Sequence, residues 1–87
     1  MWTITIDRKA EKELDRLSGV NRQRILRFLR ERLAPSDDPR LYGEALAGPF
    51  SGYWKYRVGD YRIIAAIQDR RLTIYVIRVG NRREVYR

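Results

Sequence analysis

Ten residues, Trp54 to Ile63 (WKYRVGDYRI), carry the strongest constraint on what this chain can become. Two runs of alternating bulky and polar residues flank Gly59-Asp60, and a two-residue loop of this kind fixes the pairing of a tight β-hairpin. With that loop, Val58 faces Tyr61, Arg57 faces Arg62 and Lys55 faces Ile64. A slip of one residue would turn every side chain to the other face, so the loop decides which residues become core. The alternation predicts Trp54, Tyr56 and Val58 on the core side, and Tyr53, Lys55 and Arg57 on the other. Like charges directly opposed across a sheet are destabilising. An Arg57–Arg62 pair with Lys55 on its face therefore marks a place where a polyanion such as a phosphodiester supplies the missing negative charge.

The rest of the chain supplies a scaffold for that hairpin. Trp2 to Ile6 (WTITI) reads as a short strand, and Asp7 is a natural cap for a helix from Arg8 to Leu17, where Ala10, Leu14 and Leu17 recur at helical spacing. Ser18-Gly19 stops it, and Ser18 or Asn21 caps a second helix through about Leu33, with Ile25, Leu29 and Leu33 joined by Leu26 and Phe28 in a wider apolar stripe. The connector Pro35 to Gly52 holds all three prolines and three of the six glycines, long for an unstructured link in a small domain. Strands follow at Tyr53–Val58, 61–68 and Leu72–Val79. The order is β-α-α-β-β-β, an α+β plan in which a helical hairpin packs on a curved, mainly antiparallel four-stranded sheet and leaves the other sheet face partly open. At 87 residues the expectation is one domain, 1–87.

Nineteen Lys plus Arg against eleven Asp plus Glu give a net charge of +8, the electrostatic footprint of a nucleic-acid binder. There is no Cys and no His, so thiol nucleophiles, disulfides and Cys/His zinc sets are excluded, and any chemistry falls to Lys, Arg and Tyr. No cofactor is expected. No apolar run approaches the roughly 20 residues of a membrane-spanning helix, and the first residues lack the apolar core of an export signal. The expectation is a soluble, cytoplasmic protein with no membrane partner. The last ten residues hold Arg78, Arg82, Arg83 and Arg87, with Tyr86 beside the terminus. The position of Arg78 relative to Arg62 stays open, because the loop before its strand reads as two or three residues. Five arginines on the second helix, 22, 24, 27, 30 and 32, read as a solvated or docking face.

Several of these pieces resemble the RelE branch of the RelE/ParE superfamily of bacterial type II toxins, along nearly the whole chain. They are Asp7-Arg8-Lys9-Ala10-Glu11-Lys12-Glu13-Leu14, then Asp38-Pro39-Arg40 and Gly43-x-x-Leu46-x-Gly48, and above all WKYRVGDYRII and RVGNRREVYR. The resemblance implies a microbial-ribonuclease-like sheet carrying two helices. It implies a ribosome-dependent endoribonuclease that cuts mRNA in the decoding A site by attack of a 2′-hydroxyl, leaving a 2′,3′-cyclic phosphate and a 5′-hydroxyl. The family's basic strand positions match Lys55 and Arg57, its transition-state arginine Arg62, its terminal arginine Arg82 and its tyrosine Tyr86. On that reading Tyr86 or Lys55 is the base, and Arg57 with Arg62 stabilises the phosphorane. The implied partners are the 70S ribosome, mRNA and a cognate RelB-like or other small antitoxin encoded next door. Ala65-Ala66 and Asn81 depart from residues frequent in the family. Two alternatives stand beside this reading: a ParE-like toxin that poisons DNA gyrase without being a nuclease, and an inactive relative that only binds RNA or an antitoxin.

Overall fold

The computed structural model describes residues 1–85. A five-stranded sheet, ordered β1-β5-β4-β3-β2, carries two helices. The strands are β1 (Thr3–Ile6), β2 (Glu44–Ala45), β3 (Trp54–Val58), β4 (Tyr61–Gln68) and β5 (Thr73–Asn81); the helices are α1 (Arg8–Asp15) and α2 (Gly19–Arg27). Only β1 with β5 is parallel. The chain needs the two helices to cross from β1 at one edge to β2 at the other.

The capping follows the sequence. The Asp7 carboxylate accepts the Lys9 N–H at 3.2 Å, and of the two candidate caps for α2 it is Ser18 that does the work, accepting the Asn21 N–H at 3.3 Å. A helix reaches Leu33 as expected, but from Phe28 it widens into a π-helical segment, closed by Ala34 N–H to Leu29 carbonyl at 2.9 Å. Ala10, Leu14, Ile25, Leu29 and Leu33 pack against Trp2, Tyr56, Val58, Ile63, Ala65, Ile74, Val76 and Val79 in one core.

Two features exceed the four-strand plan. The Pro35–Gly52 connector contributes β2, two residues pairing Glu44 with Lys55 and Ala45 with Trp54. A pair this short has no periodicity to read. In β5, Ile64 faces Arg78 while Ala65 faces Val76, so Ile77 is an extra, bulged residue. Val76 and Val79, three apart, would fall on opposite faces of a regular strand; the bulge puts both in the core.

The connector is locked onto β3 by Tyr56. Its side chain is fully buried, its ring centroid lies 6.0 Å from that of Phe28, and its hydroxyl donates to the Pro39 carbonyl at 2.9 Å. Gly43 passes so close that a Cβ there would lie 2.7 Å from the Tyr56 ring. Arg40 then clamps Asp69 through two N–H donors at 3.0 and 2.6 Å, joining the connector to the β4–β5 turn and holding the Asp69 carboxyl below its ordinary range.

Burial pushes the Tyr56 phenol from 10.0 up to about 12. Below pH 10 folded and unfolded chains both keep this proton, and it contributes no pH dependence. Above that the unfolded chain releases it first, so stability should fall by up to about 2–3 kcal/mol on approaching pH 12. Urea midpoints at about pH 9 and about pH 11.5 should show this loss in the wild type, and Tyr56→Phe should show less of it. At neutral pH the Phe variant should be about 1 kcal/mol less stable, because the buried Pro39 carbonyl loses its donor.

Candidate functional site

The β3–β4 hairpin forms in the register its loop dictates: Val58 faces Tyr61, Arg57 faces Arg62 and Lys55 faces Ile64. Gly59 has φ +59°, a left-handed conformation that glycine adopts without strain. Tyr56 and Val58 go into the core, with Trp54 packed against it.

The opposed arginines have different surroundings. Arg57 is exposed, and among the described residues it has no acidic partner. Arg62 is only 7% exposed, and its Nη1 donates to the carbonyls of Gly59 at 3.0 Å and Tyr61 at 2.9 Å. The turn thus holds one nitrogen of this guanidinium with two carbonyl dipoles. No side-chain nitrogen of Arg62 is buried without a partner, so its remaining N–H groups reach solvent.

Lys55 Nζ lies 3.7 Å from the Glu44 carboxylate, directly across the β2–β3 pair. Sequence reading missed Glu44 because it missed β2. Arg82 is exposed, and its backbone N–H donates to the Asp60 carbonyl at 2.9 Å, pinning the segment after β5 to the hairpin turn. That segment turns back on itself, with Glu84 and Val85 N–H groups both on the Asn81 carbonyl at 2.8 and 3.1 Å. Gly80 faces Arg62, and a Cβ on Gly80 would lie 3.8 Å from Val85 Cβ. Val85, 1% exposed, therefore roofs the β4–β5 side of the sheet face that the sequence left open. Tyr86 lies outside the described residues.

The open register of Arg78 is resolved. It faces Ile64, not Arg62, and its Nε donates to Glu13 of α1 at 3.2 Å. The other Glu13 oxygen accepts the Val79 N–H at 3.0 Å. Because β1 ends at Ile6, β5 beyond Val76 has no neighbouring strand on that side, and Glu13 fills the gap. The structure thus gathers Arg57, Arg62 and the Arg82 backbone at one end of the hairpin, sets Lys55 one step along β3 beside Glu44, and ties Arg78 to α1.

The family model described as the ParE toxin of type II toxin-antitoxin systems, parDE, matches residues 4–86, and the chain belongs to this family of the RelE/ParE superfamily. It is accordingly a type II toxin. Among solved structures it resembles a chain of the RelBE2 toxin-antitoxin complex of Mycobacterium tuberculosis, at 26% identity over 93% of this chain and 91% of that one, with a TM-score of 0.85. It also resembles a chain of the RelB-RelE complex of Methanococcus jannaschii, at 25% identity over 94% of both chains and a TM-score of 0.69. Isolated RelE of E. coli, at 22% identity over 93% of this chain and 84% of that one, shares the fold with a TM-score of 0.72. No curated protein sequence matches the chain.

The unequal surroundings of the two arginines predict unequal costs. Arg57→Ala should leave stability within about 0.5 kcal/mol of wild type, as exposed changes usually do. Arg62→Ala, which removes the donor to two turn carbonyls, should cost about 1–3 kcal/mol. Urea denaturation of both variants at neutral pH checks this; equal, negligible costs would mean the turn does not depend on Arg62.

Proposed function

We propose that this toxin is a ribosome-dependent endoribonuclease, cutting mRNA in the decoding site by 2′-hydroxyl attack. One observation carries the reading: Arg62, held in place by the turn with donors still reaching solvent, faces Arg57, which has no acidic partner among the described residues. Preorganised donors of this kind suit a phosphorane, whose non-bridging oxygens gain charge in the transition state.

In the proposed step the 2′-oxygen forms a bond to phosphorus as the bond to the 5′-oxygen breaks. The 2′-hydroxyl gives up its proton to a base, and the 5′-oxygen leaves with the bonding electron pair and takes a proton from water to become a hydroxyl. The products are a 2′,3′-cyclic phosphate and a 5′-hydroxyl. Arg57 and Arg62 hold the non-bridging oxygens. Arg82, brought near through its backbone bond to Asp60, neutralises charge on the leaving oxygen; arginine keeps its proton, so its role is electrostatic. The base is Tyr86 or Lys55, the latter lying 3.7 Å from the Glu44 carboxylate. Orientation comes from the ribosome, which presents the strand in line for attack.

By likeness to the RelB-bound relatives, we further propose that a small antitoxin neutralises this chain. A non-nuclease, gyrase-poisoning activity is the second reading, favoured by the match to the ParE model.

Expression in a bacterial host separates the two. The nuclease reading predicts new mRNA 5′ ends within codons of translated messages, reduced at least tenfold by Arg57→Ala and by Arg82→Ala, as expected for losing about 1.4 kcal/mol or more of transition-state stabilisation. Intact messages together with gyrase-linked DNA breaks would establish the second reading instead.

A further inference from the structure

The open face is one of two basic surfaces that include Arg57. Because β2 covers β3 only at Trp54 and Lys55, the outer edge of β3 from Tyr56 to Val58 has no strand beside it among the described residues. Between that edge and α2 with its π-helical extension lies a cleft of about 540 Å³, lined by Arg24, Arg27, Arg32 and Arg57 around Phe28 and Val58. Glu31 is the one acidic residue in its lining. Arg24 reaches the hairpin turn: a Cβ on Gly59 would lie 2.8 Å from its Nη1. Neither Arg24 nor Arg32 has an acidic partner among the described residues, and Arg32 lies over the Tyr42 ring, 5.9 Å from its centroid. Arg27 makes a long, solvent-exposed contact of 3.9 Å with Glu31, which contributes little.

We propose that this cleft holds phosphates of the same RNA strand that is cut, on one side of the scissile bond. The inference rests on the nuclease reading above. Its argument is continuity. Arg57 belongs both to the hairpin pair and to the cleft, so a strand whose phosphate sits at Arg57 is already at the cleft mouth. On the β5 side the way across the sheet is roofed by Val85, whereas the β3 edge is open. Several guanidinium groups set around an apolar floor suit a polyanion whose charges recur along a chain, and the contacts they make ignore base identity.

The test measures equilibrium binding of purified full-length toxin to fluorescent, uncleavable 2′-O-methyl RNAs of about three and about nine nucleotides, with each length titrated across salt concentrations. Wild type should bind the longer strand more tightly and with a steeper salt dependence, since each neutralised phosphate of a single strand adds about 0.7 to the logarithmic slope. Arg27→Gln/Arg32→Gln should lose about tenfold in affinity for the long RNA, little for the short one, and about 1.4 from the slope. Glu31→Gln should bind the long RNA more tightly than wild type, a gain that a misfolded protein cannot give. An unchanged length increment in the double variant would overturn the cleft proposal, as would weakened binding to ribosomes or to a polyglutamate probe with the oligonucleotide unaffected. If wild type cleaves ribosome-bound mRNA while the length increment survives the double substitution, only the cleft fails. If wild type neither binds RNA of either length nor cleaves message, the nuclease reading fails with it.

Discussion

The basic end of this molecule depends on one two-residue turn. Gly59 takes up a left-handed conformation, which sets the β3–β4 register and with it the face of every side chain from Trp54 to Gln68. The turn and the first residue of β4 offer three carbonyls to neighbouring segments. Those of Gly59 and Tyr61 hold the Arg62 guanidinium, and that of Asp60 holds the Arg82 backbone. A turn that only reversed the chain would leave these acceptors to water. Here they fix one cation and bring the segment of another alongside it.

Carboxylates decide which cations remain available. Glu13 takes Arg78 and closes the unpaired edge of β5, and both groups are largely buried, with side chains 17% and 18% exposed. Glu44 stands across from Lys55, and Asp69 takes Arg40. Among the described residues Arg57 is left without such a partner, and it stands opposite another arginine in the β3–β4 register, an arrangement of like charges that strand pairing disfavours. A phosphodiester between two such arginines would bring the opposite charge and accept charge-assisted hydrogen bonds.

The hairpin and its register were legible from Trp54–Ile63 because a tight turn and strict alternation leave little freedom. The first helix was legible from Ala10 and Leu14, and the π-helical end of the second was not, since the stripe Ile25, Leu29, Leu33 fits either winding. The two-residue β2 and the Ile77 bulge had no periodic signal, although the three-residue spacing of Val76 and Val79 was a usable hint. At the site, sequence alone paired Arg57 with Arg62 correctly but could not foresee that one would be exposed and the other buried. That difference comes from Arg62 turning back onto carbonyls one and three residues away and from Val85 folding over Gly80, the β5 residue opposite Arg62, choices of rotamer and chain path that strand alternation does not encode.

The central claim is that the arginines at the Gly59-Asp60 turn stabilise attack by a 2′-hydroxyl of RNA. It is tested most directly with purified ribosomes carrying an mRNA that has one 2′-deoxynucleotide at the position whose hydroxyl would attack. The account predicts cleavage of the all-ribose message to a 2′,3′-cyclic phosphate and no cut at that bond in the deoxy message. Equal cleavage of both messages at the same bond would contradict it.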